Sequence, residues 1–514
     1  FRPGSVSKLF TWTAIMQLVE QGKLDLDADV NRYLTQFQIP EAFGAPVTIR
    51  NLLTHSGGFE DGGIGYLFVE SPDEIVPLAE SLARHIPGRV RPPTTDFASG
   101  TGVAYSNYGT ALAGLIVANV SGMPFEEYVE RHIFEPLDMT RSTFREPLPD
   151  NLAERMAVGY LPKDGGFAPF GFEYIANFGP AGALSATAAD MARFMIAHLS
   201  DGAFEDRRIL EADTARLMHG RSLSPDPAVN GMALGFYETW INGRRTIGHG
   251  GATNYFKTEL MLLPEANLGL FMTFNAPDGT RAAANIKKAF MDRYFPAELP
   301  QVTPPADFAK RAADYAGSYR GLRRSYTTAE AVLSAFGDTK VVPMPDNTLL
   351  ISDLLGETRR WVEIRPDVFR AVDGDTTVAF KRDGAGRVTH LVGPFTVMPS
   401  EKLAWYETSD FHMLLVAVAV ILFISMIISL FYRWRADREG PARARLARRV
   451  LAAVAVLDLL FLILSGVGLA SGMERLIFGF PGLFRLALAL PLVALPLTIV
   501  ALVLGFFAWR DRYW

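Results

Sequence analysis

The sequence predicts a layered α/β (α+β) domain, an antiparallel sheet flanked by helices, followed by a small β-barrel-like module and three transmembrane helices. Three observations predict this. Helical periodicities surround a run of strand-like stretches between Met232 and Ala276. Short alternating stretches then recur at regular spacing from residue 308 to residue 400. Finally, three apolar segments lie between residues 411 and 508, each near the roughly 20 residues that a helix needs to cross a bilayer. A chain of 514 residues accommodates two or three folding units. The expected divisions are 1–298, 305–402 and 411–508.

Residues 5 to 22 suit an amphipathic helix, with Val6, Leu9, Phe10, Ile15, Met16 and Val19 apolar and Gly22 as its stop. A polar connector, KLDLDADVNRYL, leads to TIRNLLTHSGGFED, a short helix ending in a glycine pair. From 60 to 105 the chain is rich in Gly, Pro and Asp, as an insertion over a cleft would be. The helix NYGTALAGLIVANVSG follows, with Gly122 as its cap. Thr187 to Asp190 reads as a capping box that opens AADMARFMIAHL. Strands are expected in MALGFYETWI, RRTIGHGG and TELMLLPEANLGLFMTFN, the first two joined by an Asn242–Gly243 hairpin turn. The helix RAAANIKKAFMDRYF closes the region.

Beyond the proline-bearing link QVTPPADF, the stretches TLLIS, RRWVEIR, VFRAV, TTVAFKR and RVTHLV read as strands, split by Asp373–Gly374 and Asp383–Gly384. Nothing in this part gathers catalytic residue types, which makes it an accessory module.

The apolar segments run from Phe411 to Tyr432, Val450 to Ala470 and Leu483 to Phe507. Soluble core helices usually carry a polar stripe, and MLLVAVAVILFISMIISLF has none to speak of. Between the first two spans lie Arg433, Arg435, Arg438, Arg443, Arg445, Arg448 and Arg449, against Asp437 and Glu439. The bias of basic residues to the cytoplasmic side places that loop inside. It also puts the nearly uncharged Ser471–Gly482 loop outside, and the C-terminal tail with Arg510 and Arg512 in the cytoplasm. Everything before Phe411 is then extracytoplasmic, in the periplasm or outside the cell. Trp405, Tyr406, Trp434 and Trp509 sit at span ends, where amphipathic rings favour the interface. Asp458, inside the second span, suits a proton or ligand path, but a protonated or snorkelling carboxyl is the plainer reading.

Composition narrows the function. A net charge of −5 gives no footprint for nucleic acid. The absence of cysteine excludes disulfides, thiolate chemistry and zinc–thiolate sites. The expected partners are a small-molecule or peptide substrate and the lipid bilayer, with a protein partner left open.

Three motifs carry chemistry. Ser5-Val6-Ser7-Lys8 is an S-x-x-K at a helix start, and its spacing puts Lys8 beside the Ser5 hydroxyl. The hydroxyl needs a neighbour that takes or attracts its proton, and a helix N-terminus and a buried ammonium both favour negative charge there. Tyr105-Ser106-Asn107, at the mouth of another helix, supplies a phenol for proton delivery and an amide for orientation. His249-Gly250-Gly251 supplies a cationic or hydrogen-bonding side chain and two glycines that admit a close ligand on an edge strand. Singly, each has a plain alternative: a helix cap for Ser5, a solvated Lys8, a packing role for Tyr105, a turn with an incidental histidine for His249.

Together, in this order, the motifs resemble those of the serine β-lactamase-related and penicillin-binding enzymes. The text around them, FRPGSVSKLFTWTAIMQLVEQGKLDLD, IRNLLTHSGG, VAYSNYGTALAGLIV, GPAGALSATAADMARF and IGHGGATNYF, is similar to that family. His249-Gly250-Gly251 stands where many relatives carry Lys-Thr-Gly, which points to the class C β-lactamases, D-stereospecific peptidases and related esterases. The resemblance covers residues 1 to 295. Beyond 305 it extends loosely to a lipocalin-like module and membrane helices.

The resemblance implies a β-lactamase/DD-peptidase-like fold and a serine hydrolase in which Ser5 forms an acyl-enzyme while Lys8 and Tyr105 manage its proton. Asn107 would contact the substrate amide, and His249 would hold the substrate or tune Tyr105. The backbone amides of Ser5 and Ala252 would form the oxyanion hole. No metal or cofactor is implied. In this family a helix and two strands precede the nucleophile, whereas four residues do so here. The resemblance therefore implies an N-terminally truncated domain with one side of its sheet unpaired. Candidate substrates are D-Ala-type peptides, β-lactams, D-amino-acid peptides and esters. The alternative function is a membrane-bound penicillin or peptidoglycan-fragment sensor acylated at Ser5.

Overall fold

The computed structural model describes residues 1–94, 103–298, 301–335, 337–352, 358–439 and 441–511, of which 433–439 and 472–474 by backbone alone. The side chains of Arg433, Trp434, Arg435, Asp437, Arg438 and Glu439, and all of Arg512, lie outside the described residues. So does the end of the 60–105 insertion, at 95–102. The chain divides into two units, Phe1–Gly62 with Leu67–Leu403, and Gly63–Tyr66 with Ala404–Trp514.

The first unit is built around helix α1 (Lys8–Glu20), which a 3-10 turn at Gly4–Ser7 introduces. An amphipathic helix was expected here, and the structure corrects that. Every residue from Lys8 to Leu18 is buried, because the helices Asn107–Ser121, Phe125–Val129 and Ala212–His219 enclose α1. Leu9, Phe10, Trp12, Ile15, Met16 and Leu18 are fully inaccessible, each contributing roughly 1.5–3 kcal/mol by burial. The nucleophile motif thus opens a helix that is buried on every side from Lys8 to Leu18.

Helix α2 (Asn107–Ser121) starts where the Ser106 hydroxyl accepts from Gly109 N, and ends at Gly122 with φ +75°. Helix α3 (Ala188–Leu199) forms half of the expected capping box. The Thr187 hydroxyl accepts from Asp190 N, but the Asp190 carboxylate turns to Arg141 N and the Ser142 hydroxyl. Helix α4 (Ala212–His219) follows.

A four-stranded antiparallel sheet comes next: β1 (Tyr237–Ile241), β2 (Arg244–Ala252), β3 (Lys257–Leu263) and β4 (Leu268–Phe274), in that order. Asn242 at φ 51° and Gly243 at φ 70° make the β1–β2 turn, as the sequence indicates. The third expected stretch is two strands, broken by a turn at Pro264–Ala266. Strand β2 is interior to the sheet, not at an edge as expected. Its pairing with β1 nevertheless stops at Gly248, so His249 to Ala252 run past their neighbour with no strand partner on that side among the described residues. The outer side of β4 has no strand partner among the described residues. Helix α5 (Gly279–Tyr294) packs on β3 and β4.

The β-rich part is a closed eight-stranded barrel of strands β5 to β12: Gly317–Gly321, Thr339–Pro343, Leu349–Ser352, Thr358–Arg365, Val368–Ala371, Thr377–Arg382, Val388–Val392 and Ser400–Lys402. Strand β12 pairs back onto β5 and closes it. The sequence had shown five of these strands. The interior is filled by side chains, as eight strands dictate. Tyr315, Tyr319, Phe369 and Phe380 pack there with ring centroids 4.9–5.9 Å apart.

The second unit holds three helices long and apolar enough to span a membrane: Ser409–Tyr432, Ala442–Ser471 and Gly482–Arg510. The third packs on the second and buries Ala487, Ala494, Ala501 and Ala508, one every seventh residue. Such a seam of small side chains lets helix backbones approach closely in a bilayer.

Candidate active site

Ser5 lies in the tight turn before α1, where Gly4 takes φ +56°. Gly4 and Gly251 are obligatory for the same reason: β2 runs hard against the nucleophile turn. A Cβ on Gly251 would come 1.9 Å from the Pro3 carbonyl oxygen, and one on Gly4 would come 2.9 Å from Ala252 N. Ser7 locks the turn, donating from its hydroxyl to Gly4 O and accepting from Leu184 N.

Lys8 is completely buried and has three oxygens around its Nζ: Ala181 O at 2.6 Å, Asn107 Oδ1 at 2.9 Å and Ser5 Oγ at 3.2 Å. The first two accept only. The third is a hydroxyl, which donates as readily as it accepts. A neutral amine therefore fits this cage well, with two N–H groups spent on Ala181 and Asn107 and its lone pair aimed at Ser5. Burial holds the Lys8 ammonium well below its usual range, Arg323 adds to that, and Asp61 opposes it.

Tyr105 is buried beside them, its hydroxyl sharing hydrogen bonds with Ser5 and Tyr237. Burial pushes the phenol up to about 12, against the pull of Arg323 and of the Ser5 hydrogen bond. Behind Tyr105 stands His55, with ring centroids 4.5 Å apart. His55 Nδ1 accepts from Ser106 N, and burial, then Lys8, keep its imidazole well below the usual range. It is a neutral platform that fixes both Tyr105 and the mouth of α2.

His249 is buried and stacked on Tyr237 at 4.2 Å, with its Nδ1 2.6 Å from Gly250 O. Burial and the nearby Lys8 push it down to about 3, so it is an uncharged hydrogen-bonding group, not a cation. Tyr237, which donates toward Tyr105, is pushed well above its usual range by burial and then by Tyr105.

The structure thus brings Ser5, Lys8, Tyr105, Asn107 and His249 together, with Gly250, Gly251 and Ala252 alongside. Asn107 is turned toward Lys8 through its Oδ1, while its amide nitrogen has no partner among the described residues. Sequence reasoning missed Tyr237, His55, Asp61 and Arg323. His55 sits in the quoted stretch IRNLLTHSGG, which was the available signal. Tyr237 and Arg323 had none, since only the fold brings them to Tyr105.

Arg323, from the segment after barrel strand β5, places its guanidinium 4.5 Å over the Tyr105 ring, and Lys8 Nζ lies 5.0 Å from the same ring. Its Nε donates to Asp61 at 2.7 Å.

The β-lactamase family model matches residues 1–290. Penicillin-binding protein 4 of Amycolatopsis lactamdurans is 29% identical over 318 residues, which covers 60% of this chain and 80% of that protein. The D-alanyl-D-alanine-carboxypeptidase/endopeptidase AmpH of Escherichia coli (strain K12) is 27% identical over 300 residues, 54% of this chain and 72% of AmpH. Among solved structures, SurE shares the fold at a TM-score of 0.53 and 23% identity, covering 78% of this chain and 87% of its own.

Proposed function

The chain belongs to the β-lactamase family, and from that premise we propose that this serine hydrolase uses Ser5 to form an acyl-enzyme with an amide or ester outside the cytoplasm. The Lys8 cage carries the reading most directly. Lys8 is pushed toward the neutral amine and Tyr105 toward the protonated phenol. Two groups driven to opposite states beside one nucleophile divide the work of base and acid between them.

In the first half-reaction, Lys8 Nζ takes the Ser5 proton as Oγ attacks the substrate carbonyl. The negative oxygen of the tetrahedral intermediate is stabilised by Ser5 N and Ala252 N, donors typically worth about 3 kcal/mol each. Tyr105 protonates the leaving nitrogen or oxygen and regains a proton from the Lys8 ammonium, the one Lys8 took from Ser5. Asn107 offers its amide nitrogen to the substrate acyl side. The free side of His249–Ala252 pairs with the substrate backbone as a further strand would. Water, activated by the same two groups, then releases the acid product. The barrel is an accessory module of this hydrolase, and the three helices anchor it with the Arg-rich loop and the C-terminus in the cytoplasm.

The test uses the whole chain in detergent. A fluorophosphonate probe should label it, p-nitrophenyl acetate should turn over, and both should vanish in Ser5→Ala. A stoichiometric Ser5 adduct with a cephalosporin but no turnover of any ester or peptide would replace the hydrolase with a sensor. A reporter on the Arg-rich loop that reads outside would reverse the topology.

A further inference from the structure

The two amides of the oxyanion hole come from different elements, Ser5 N from the turn before α1 and Ala252 N from the last residue of β2. The elements touch here: a Cβ on Gly251 would lie 3.2 Å from Ser5 N, and one on Gly4 would lie 2.9 Å from Ala252 N. Contact brings the amides near each other, but donors act only when aimed at the atom on which charge develops. We propose that Glu173 is a positioning residue for this pair: its buried carboxylate staples the turn that follows Ala252, and the Arg2–Glu146 ion pair ties the same segment to the nucleophile turn. This deepens the acyl-enzyme reading above and rests on it.

On the Ala252 side the staple is made of hydrogen bonds. Glu173 is buried, and its Oε1 accepts from Asn254 N at 2.9 Å. The Thr253 hydroxyl bonds to the same carboxylate and accepts from Phe256 N at 3.1 Å and Tyr255 N at 3.3 Å. Thr253 N closes the turn by donating to Phe256 O at 2.9 Å. Lys257, at the start of β3, donates from Nζ to Thr253 O and to Asn254 O. The backbone on leaving Ala252 is therefore held at every step.

On the Ser5 side the tie is electrostatic. Arg2, three residues before Ser5, pairs with Glu146 at 2.5 Å, and both side chains are buried. The other Glu146 oxygen accepts from Ile175 N at 2.5 Å, two residues beyond Glu173. The Arg2 guanidinium also lies 4.3 Å over the ring of Phe172, the residue before Glu173. One short segment, Phe172–Ile175, thus grips Arg2 at one point and the Thr253 turn at another. Its carboxylate sits there against a cost, since burial raises the Glu173 carboxyl and Thr253 and Arg2 oppose that. Glu173 Oε2 has no hydrogen-bond partner among the described residues, so an amide in its place keeps the staple.

The test gives the whole chain in detergent p-nitrophenyl acetate and its thiono analogue, which carries sulfur in place of the carbonyl oxygen. Sulfur accepts hydrogen bonds weakly, so aimed amides speed the oxygen ester and do little for the thiono ester. Glu173→Ala should lower kcat at least about 30-fold on the oxygen ester and less than about 3-fold on the thiono ester, with KM little changed. Glu173→Gln keeps the Oε1 acceptor and should return the oxygen ester to within about 5-fold of wild type. Lys8→Arg, which alters the base and not the amides, should slow both esters alike. An equal loss on the two esters in Glu173→Ala would overturn the proposal, because a general disruption slows both. So would no loss at all, or a Glu173→Gln variant as slow as the alanine. Should Glu173→Ala not fold, Thr253→Val carries the test, with the same selective loss expected and an equal loss or none overturning it. Fluorophosphonate labelling of the wild type, absent in Ser5→Ala, reports the acyl-enzyme separately. Where the label and ester turnover are present, that reading stands whatever Glu173 does. Where the wild type shows neither, that reading fails and the role of Glu173 with it.

Discussion

Gly251 faces Pro3 so closely that a single added methyl group would sit 1.9 Å from the Pro3 carbonyl oxygen. Its neighbour Gly250 is different, since a Cβ there would meet Glu259 Oε2 at an ordinary 3.4 Å. Gly251→Ala is therefore expected to push β2 off the nucleophile turn, displacing Ala252 N from Ser5. Losing the alignment of one oxyanion donor costs roughly 10²–10³-fold in kcat. Gly250→Ala is expected within a few fold of wild type. Ester turnover by the two variants checks this, and equal rates would refute the close packing as a catalytic requirement.

Lys8 and Tyr105 predict the shape of the pH profile. Because burial holds the Lys8 ammonium well below its usual value, kcat/KM for an ester should rise along an acid limb that titrates Lys8. The fall on the alkaline side belongs to Tyr105 and is expected near pH 12. Between the limbs Lys8 is neutral and Tyr105 protonated, the pair of states the mechanism requires. Lys8→Arg keeps the charge but not the titration, and should cost roughly 10²–10⁴-fold. An acid limb that persists unchanged in Lys8→Arg would assign it to another group.

These groups differ in how far the sequence discloses them. Ser5 and Lys8 are three residues apart at a helix start, so local geometry alone pairs them. Asn107 and Ser106 are legible because a helix mouth announces itself through its cap. The barrel was half legible, since strands such as RRWVEIR alternate clearly, whereas Gly317–Gly321 and Ser400–Lys402 are short and polar. The all-round burial of α1 was hidden because Lys8, Thr11, Thr13 and Gln17 look like a solvent face. They are buried because each finds a partner: Thr11 bonds Pro180 O, Thr13 bonds Leu9 O, and Gln17 bonds His132 O and Ile209 O. Arg323 was illegible, because barrel closure and docking, not sequence spacing, bring it to Tyr105.

A histidine pair, His198 buried and His219 half-buried, predicts acid sensitivity. His198 Nδ1 lies 3.0 Å from His219 Nε2, and the other His198 nitrogen lies 3.3 Å from the Thr13 hydroxyl on α1. Burial pushes His219 down to about 4, and burial plus His219 holds His198 well below its usual range. Both are depressed relative to the unfolded value of 6.5, so the unfolded chain binds the extra protons. Stability is then full above pH 6.5 and is lost as pH falls toward 4, by about 3 kcal/mol for His219. The melting temperature of the detergent-solubilised protein should drop across that window. His219→Gln should flatten the drop, and an unchanged slope would exonerate the pair.

Glu60 gives the last prediction, because it links the hydrolase to the barrel through backbone. Besides Tyr326 N, Thr327 N and the Thr327 hydroxyl, its carboxylate accepts from Gly88 N at 2.8 Å. Burial raises this carboxyl, but the hydrogen bonds outweigh it and hold the group below the usual carboxylate value. Its contribution is thus present above pH 4.5 and lost as pH falls through the depressed value. In Glu60→Ala three backbone N–H groups lose their acceptor, at about 1–3 kcal/mol for each that stays buried. The segment from Leu322 to Thr327 should then loosen, while Ser5 and Lys8, seated on α1, stay in place. Hydrogen exchange should show faster amide exchange at Tyr326 and Thr327, with ester turnover kept within a few fold. Unchanged exchange at Tyr326 and Thr327 would mean that Glu60 does not hold this segment.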